Sequence, residues 1–273
     1  MSSDANLDGV CDLASTPAPN PLIPVYVSLT SIYQNQSELS DTLESLICQS
    51  MQPSMIYLYL SETHHLQDIG FENRRITNAK LAQVLDANTD IIRLSWVENE
   101  GSYRKLLPLL REKWVEDCII ITVDDDTVYT KDLIENMVAD YNFHGCVINY
   151  RGFTPQMSHL GEFAYEMRGA HISKHLYNFP TGKSGILYKP SFFHSTGDLI
   201  FRKDIYMSTC PTGDDVWFYL VRIKNNVLCY LGNKKYMDKD NTTRFGLYKN
   251  YNSHNSRNTK QLLATLGRLW PQQ

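Results

Sequence analysis

Apolar runs alternate with segments of helical periodicity along the first half of the chain. Short runs rich in β-branched residues are typical of buried strands. They are Val25 to Ile32, Met55 to Leu60, Ile91 to Val97 and Ile119 to Val123. Between them apolar residues recur at every third or fourth position. This spacing predicts helices after Ser37, at Ile76 to Leu85, at Tyr103 to Trp114 and after Thr130. The alternation predicts an α/β fold with a mostly parallel central sheet flanked by helices.

The second half of the chain has a less regular pattern. Its predicted strands are Cys146 to Arg151, Ile186 to Tyr188, Asp198 to Arg202 and Val227 to Leu231. Helices are predicted at Asp214 to Ile223 and from Gln261 onward. Residues 1–21 are small and polar with several prolines, so we expect a disordered leader there. No repeat or linker divides residues 22–273, which predicts a single domain with halves of about 22–145 and 146–273.

Composition and charge narrow the class of protein. The 273 residues are 42% hydrophobic and 21% charged, with a formal net charge of -4, so nucleic acid is not an expected partner. No apolar run approaches the roughly 18 residues of a membrane span, and the N-terminus lacks the pattern of a secretory signal. We therefore expect a soluble cytoplasmic protein without a transmembrane segment. Its six cysteines lack metal-site spacing and are expected to be buried free thiols.

Three consecutive carboxylates, Asp124, Asp125 and Asp126, follow the apolar run that ends at Val123. Such carboxylates repel one another unless a cation lies among them. In open α/β sheets, ligands bind beyond the carboxyl ends of the strands. The D-x-D pair therefore predicts a divalent ion that keeps positions open for phosphate oxygens. The alternative interpretation is a solvated acidic turn.

A second acidic motif, G-D-D-V-W, begins at Gly213. Asp214 and Asp215 open a predicted helix, where the helix dipole favours anions, so Asp214 could serve only as a cap. Two acidic pairs at one sheet edge suggest metal binding at the first and base catalysis at the second. The T-G-K-S-G segment is not a Walker loop, because Tyr177 replaces the required Gly. Its Gly182 and Gly185 instead allow a backbone to lie close to a ligand.

The ordered motifs resemble those of a known enzyme family. They are V-S-L-T-S, E-G-S-Y-R-K-L-L-P-L-L, I-I-T-V-D-D-D-T-V-Y, P-T-G-K-S-G-I-L-Y and G-D-D-V-W, spanning Val27 to Trp217. The set is similar to small family-2-like glycosyltransferases of the GT-A (Rossmann-like) fold, which make bacterial and viral surface glycans. Chlorovirus transferases that build capsid glycans are similar in size and motif order. The chain departs from the pattern at Ser102-Tyr103-Arg104, where G-P-x-x-K is common, and at Lys183, where Gly is common.

The resemblance implies an inverting, metal-dependent glycosyltransferase that moves a sugar from a UDP-sugar to a hydroxyl of a glycan or glycoprotein. The sugar could be galactose, glucose, N-acetylglucosamine or xylose, and the ion Mn²⁺ or Mg²⁺. The first half of the domain would bind the nucleotide sugar and the second half, with its C-terminal helix, the acceptor. For a viral source, the cytoplasm would be that of the host cell.

The resemblance also assigns roles to residues. Asp215 would deprotonate the acceptor hydroxyl. Asp126 would be the main metal ligand, with Asp124 and His254 as further ligands. His194 and Trp217 would line the acceptor side. The expected donor-binding residues are Thr30, Ser31, Lys105, Asp124, Asp125, Gly182, Ser184 and Gly185.

Two other classes remain open from the sequence. Asp124, Asp126 and Val128 match the D-x-D-x-[TV] signature of haloacid-dehalogenase-like phosphatases, in which Asp124 would be a nucleophile. That motif normally ends the first strand of the core, whereas three strand–helix units precede it here. The other class is a catalytically inactive module that binds a sugar or nucleotide.

Overall fold

The computed structural model describes residues 23–157, 163–164, 172–242, 244–253 and 256–271. The strands within these ranges are β1 Val25–Thr30, β2 Met55–Leu60, β3 Ile92–Trp96, β4 Ile119–Thr122, β5 Thr127–Tyr129, β6 Val147–Asn149, β7 Gly152–Phe153, β8 Gln156–Met157, β9 Phe163–Ala164, β10 Ser173–His175, β11 Phe179–Pro180, β12 Ile186–Tyr188, β13 Cys229–Leu231 and β14 Met237–Asp240. The α-helices are α1 Gln36–Ile47, α2 Ala79–Ala87, α3 Leu107–Glu112, α4 Leu133–His144, α5 Lys203–Thr209, α6 Asp214–Lys224 and α7 Arg257–Leu269.

An eight-stranded sheet forms the centre of the molecule, in the order β10-β13-β6-β12-β4-β1-β2-β3. Strands β1 to β4 pair in parallel, with Val27 aligned to Ile56 on one side and to Ile121 on the other. From the second half of the chain, β12 inserts antiparallel between β4 and β6. The predicted α/β class with a mostly parallel sheet is confirmed.

The core lies on both faces of this sheet because alternate strand residues point to opposite faces. In β4, Ile119 and Ile121 pack in a cluster with the apolar residues of α1, α2 and α4. Ile120 belongs to a second cluster that contains those of α3, α6 and α7. Val123, which follows β4, is also buried, so the acidic turn starts where the buried run of this strand ends.

Two predicted elements differ in the structure. The strand predicted at Asp198 to Arg202 is wrong, because Pro190–Phe201 forms 3-10 turns that are interrupted at Gly197, whose φ is 61°. The helix predicted from Tyr103 is divided into a 3-10 turn, Gly101–Lys105, and the short α3. Pro108 lies in the first turn of α3, where its missing amide hydrogen costs nothing. Strand β14, which pairs antiparallel with β5, was not predicted, because its acidic sequence lacks the apolar pattern of a buried strand.

The cysteines follow the expectation only in part. Free, buried thiols occur at Cys118, Cys146, Cys210 and Cys229. Cys48 is disulfide-bonded, so the prediction of a free thiol is wrong at that position. Over the described ranges, no helix combines the length and apolar character that crossing a bilayer requires.

Candidate functional site

A cavity of about 460 Å³ opens beyond the carboxyl ends of β1 and β4. This is the edge at which open α/β sheets bind ligands. Its wall contains the end of β1, the acidic turn and the start of α6, together with residues 181–183, 240, 242 and 245–247. Most of the sequence-predicted donor residues lie in this wall: Thr30, Ser31, Lys105, Asp124, Asp125 and Gly182. The metal and base candidates Asp126 and Asp215 lie there too.

The middle carboxylate of the acidic turn is anchored to the first half of the chain. Asp125 accepts hydrogen bonds from the Ser31 hydroxyl and, at 3.2 Å, from Asn35 Nδ2. Burial, with the neighbouring charge of Asp126, raises the pKa of Asp125 to about 7. The turn itself is fixed because the amide of Asp124 donates to the Tyr129 hydroxyl over 2.9 Å. Asp125 therefore holds the turn against β1.

The Lys105 ammonium joins the two acidic motifs. Its Nζ lies 2.9 Å from Asp214 Oδ2, 3.2 Å from Asp124 Oδ1 and 3.9 Å from Asp215 Oδ1. Burial lowers the pKa of Lys105, but the three carboxylates outweigh it and the pKa lies well above its usual value. Asp214 also accepts a hydrogen bond from Ser102 Oγ at 2.6 Å and does not cap α6. Asp214 therefore positions Lys105.

Asp215 has the surroundings of a base. It lies in the first turn of α6, and its Oδ2 accepts a hydrogen bond from the Gly182 amide at 3.2 Å. Burial raises the pKa of Asp215 to about 7; Lys105 opposes this rise, whereas the charges of Asp214 and Asp124 add to it. A carboxyl group with a pKa near neutrality is matched to accepting a proton at physiological pH.

Gly182 packs closely against the side chains of this cluster. A Cβ at this position would lie 2.7 Å from Lys105 Nζ and 3.0 Å from Asp124 Oδ1. By contrast, Ser184 and Gly185 lie outside the cavity wall. The Ser184 hydroxyl is fully buried 2.7 Å from Asn149 Nδ2, and Gly185 adopts a φ of 75° beside Met137. These two residues shape the loop, and their contact with the donor stays a prediction.

The third carboxylate, Asp126, lies beside a second lysine. Lys183 Nζ is 3.6 Å from Asp126 Oδ1 and 2.8 Å from Asp240 Oδ1, and it also donates to the Thr242 hydroxyl. Burial and the charge of Asp124 raise the pKa of Asp126, while Lys183 opposes that rise. Burial lowers the pKa of Lys183, but Asp240 and the other carboxylates reverse this effect and raise it overall.

The expected metal donors do not fit a divalent ion in this arrangement. Asp124 and Asp126 each have their Oδ1 atom beside a lysine ammonium, which competes with a cation for the carboxylate. Within the described part of the chain, no group of three His, Cys, Asp or Glu side chains is arranged to hold a metal. His254, the third predicted ligand, lies outside the described residues.

Sequence reasoning missed a buried ion pair in the same wall. Arg104 Nη2 lies 3.2 Å from Asp68 Oδ2 and 3.3 Å from the Ser31 carbonyl oxygen. Arg104 Nη1 is buried without a hydrogen-bond partner among the described residues. Asn99 Nδ2 also donates to Asp68 at 2.9 Å. The only sequence signal was that Arg104 departs from the family pattern.

The two predicted acceptor residues lie away from the cavity. Trp217 is fully buried, and its Nε1 donates to the Ile200 carbonyl at 2.9 Å. His194 packs on the Trp114 ring, with 4.6 Å between centroids, and its Nε2 lies 2.8 Å from the Trp114 carbonyl oxygen. The Trp217 ring offers no face to the cavity because it packs in the core, and the acceptor-side roles of both residues stay predictions.

Comparisons with known proteins give matches at the level of structure. No family model and no curated protein sequence matches this chain. S. aureus TarS 1–349 in complex with UDP-GlcNAc matches with a TM-score of 0.53 and 14% identity, covering 84% of this chain. This chain in turn covers 62% of that structure, less than two thirds. A longer TarS structure matches with a TM-score of 0.50 and 15% identity, over 78% of this chain and 36% of TarS.

A third match is the 4-diphosphocytidyl-2C-methyl-D-erythritol synthase of Anaerococcus prevotii. It has a TM-score of 0.51 and 9% identity, and the alignment covers 81% of this chain and 94% of the synthase. Identities this low establish the fold alone. The chain therefore has the GT-A-like α/β fold that its sequence predicts.

Proposed function

We propose that this protein transfers a sugar from a UDP-sugar to a hydroxyl of a glycan acceptor, with inversion at the anomeric carbon. The observation that carries the proposal is the position of Asp215. Its carboxyl group, with a pKa of about 7, lies beside Lys105 and the Gly182 amide in the cavity at the sheet edge. The fold supports a nucleotide-sugar donor, because TarS, which shares it, was solved with UDP-GlcNAc.

Different cavity residues have different roles in the proposed reaction. Asp215 accepts the proton of the acceptor hydroxyl as the acceptor oxygen bonds to the anomeric carbon. The bond between that carbon and the β-phosphate oxygen breaks, and its electron pair remains on the departing diphosphate. Attack opposite the leaving group inverts the anomeric carbon. Lys105 keeps Asp215 and Asp124 in place and adds positive charge at the site where the diphosphate charge develops.

The donor sugar, a hexose or pentose, remains among galactose, glucose, N-acetylglucosamine and xylose. Asp126 and Asp124 are both paired with lysines, so the proposed reaction does not depend on a divalent ion at these carboxylates.

The test is a panel of UDP- and GDP-sugars with manganese and with EDTA, followed as released nucleotide and as product on glycan acceptors. We expect turnover of one UDP-sugar. Asp215→Asn should bind UDP as the wild type does but transfer about a hundred- to ten-thousandfold more slowly. Asp204→Asn, in the first turn of α5, is the matched control and should retain full activity.

Each remaining outcome identifies another class. Hydrolysis of a simple phosphate ester without turnover of any donor would favour the haloacid-dehalogenase-like phosphatase class. UDP binding without any turnover would favour the class of inactive binding modules. Full transfer activity in Asp215→Asn would refute the assignment of the base.

A further inference from the structure

Two lysine ammoniums flank the acidic turn, one at each end. Lys105 Nζ lies 3.2 Å from Asp124 Oδ1, and Lys183 Nζ lies 3.6 Å from Asp126 Oδ1. These carboxylates are the pair from which the sequence predicts a metal site. Only 8% of the Lys105 side chain and 17% of the Lys183 side chain are exposed, so solvent screens both charges weakly.

Lys183 is held in this position by contacts at both its backbone and its side chain. Its carbonyl oxygen accepts a hydrogen bond from the Tyr129 hydroxyl at 3.3 Å, and the same hydroxyl accepts one from the Asp124 amide. Its ammonium donates to Asp240 on β14, and β14 pairs with β5 immediately after the acidic turn. Lys183 is therefore held against the acidic turn and does not move as an independent surface lysine.

We infer that Lys183 supplies the positive charge that counters the donor diphosphate, in place of a divalent metal ion. The inference rests on the UDP-sugar donor proposed above. Together Lys105 and Lys183 carry the two positive charges that a divalent ion would bring. A lysine ammonium is a common phosphate ligand that acts as a point charge. In the family that this sequence resembles, a Gly is common at this position, and a Gly could supply no charge.

In the transfer step, the Lys183 ammonium exchanges Asp126 for an oxygen of the diphosphate. The bond between the anomeric carbon and the β-phosphate oxygen breaks, and the electron pair remains on that oxygen beside the ammonium. The acceptor oxygen bonds to the anomeric carbon, and its proton moves to Asp215. Before the donor binds, Asp126 and Asp240 hold the ammonium at the cavity wall.

The test is calorimetric titration of the whole protein with UDP, once in EDTA and once in manganese. The wild type should bind UDP in EDTA with a dissociation constant within about threefold of that in manganese. In EDTA, the affinity of Lys183→Ala for UDP should be roughly ten- to a hundredfold lower than that of the wild type, as expected for the loss of one charged hydrogen bond. Lys80→Ala should match the wild type. Lys80 is a suitable control because it also bridges two carboxylates, Asp41 and Glu44, but outside the cavity.

A second measurement reports on metal binding itself, by electron paramagnetic resonance of Mn²⁺ without nucleotide. Lys183→Ala should bind Mn²⁺ more tightly than the wild type, because the substitution frees the carboxylates of Asp126 and Asp240. Tight Mn²⁺ binding by the wild type, or wild-type UDP binding that requires manganese, would overturn the inference and leave the proposed function standing. Absence of UDP binding in both buffers would refute the two together.

Discussion

Replacing Asp215 by Asn should stabilise the protein while it slows transfer. The pKa of Asp215 is raised from 3.8 to about 7 in the folded protein. Between these two values only the folded state holds the proton, so stability falls as the pH rises from about 4 to 7. Above pH 7 the cost of the buried charge is fully present. At about 1.4 kcal/mol per pKa unit it amounts to about 4 kcal/mol.

The Asn side chain is neutral at every pH and nearly isosteric with the protonated carboxyl group, so it avoids this cost. The gain in unfolding free energy should reach about 4 kcal/mol at pH 8 and about 2 kcal/mol at pH 5. Thermal unfolding followed by circular dichroism measures the gain, as roughly 2–4 °C in melting temperature for each kcal/mol.

Asp204→Asn is the control for this experiment. The Arg202 side chain lowers the pKa of Asp204, so removal of that carboxylate should give no gain at either pH. A melting temperature of Asp215→Asn at pH 8 equal to or below that of the wild type would refute the reasoning. A gain that is the same at both pH values would refute it as well.

Transfer rates should rise with pH and level off above about 7, because the ionised form of Asp215 is the base; a flat profile would contradict that role. Gly182→Ala should weaken UDP binding about tenfold in calorimetry, because its Cβ would lie 2.7 Å from Lys105 Nζ. The control is Gly267→Ala, whose Cβ meets no atom within 4 Å; this variant should bind UDP as the wild type does. Arg104→Ala should lower the free energy of unfolding by about 3–5 kcal/mol, because a buried carboxylate loses its partner. Denaturant titration measures this loss, and one below about 1 kcal/mol would contradict the expectation.

The sequence by itself determined the α/β class and predicted which acidic motifs line the candidate cavity. Strand and helix periodicities are local, and they reflect which faces must be buried. When an apolar strand ends in three carboxylates, these lie at the carboxyl end of the sheet. This holds for any position of the strand in the strand order. The acidic turn after β4 and the acidic start of α6 were therefore predictable without coordinates.

Only the tertiary structure decided which side chains meet. Lys105 contacts Asp124, Asp214 and Asp215 because the sheet order and the packing of α6 bring distant segments together. The direction of Trp217 likewise depends on which face of α6 packs in the core. A motif fixes residue types and their spacing, whereas the orientation of each side chain follows from packing that is not encoded locally.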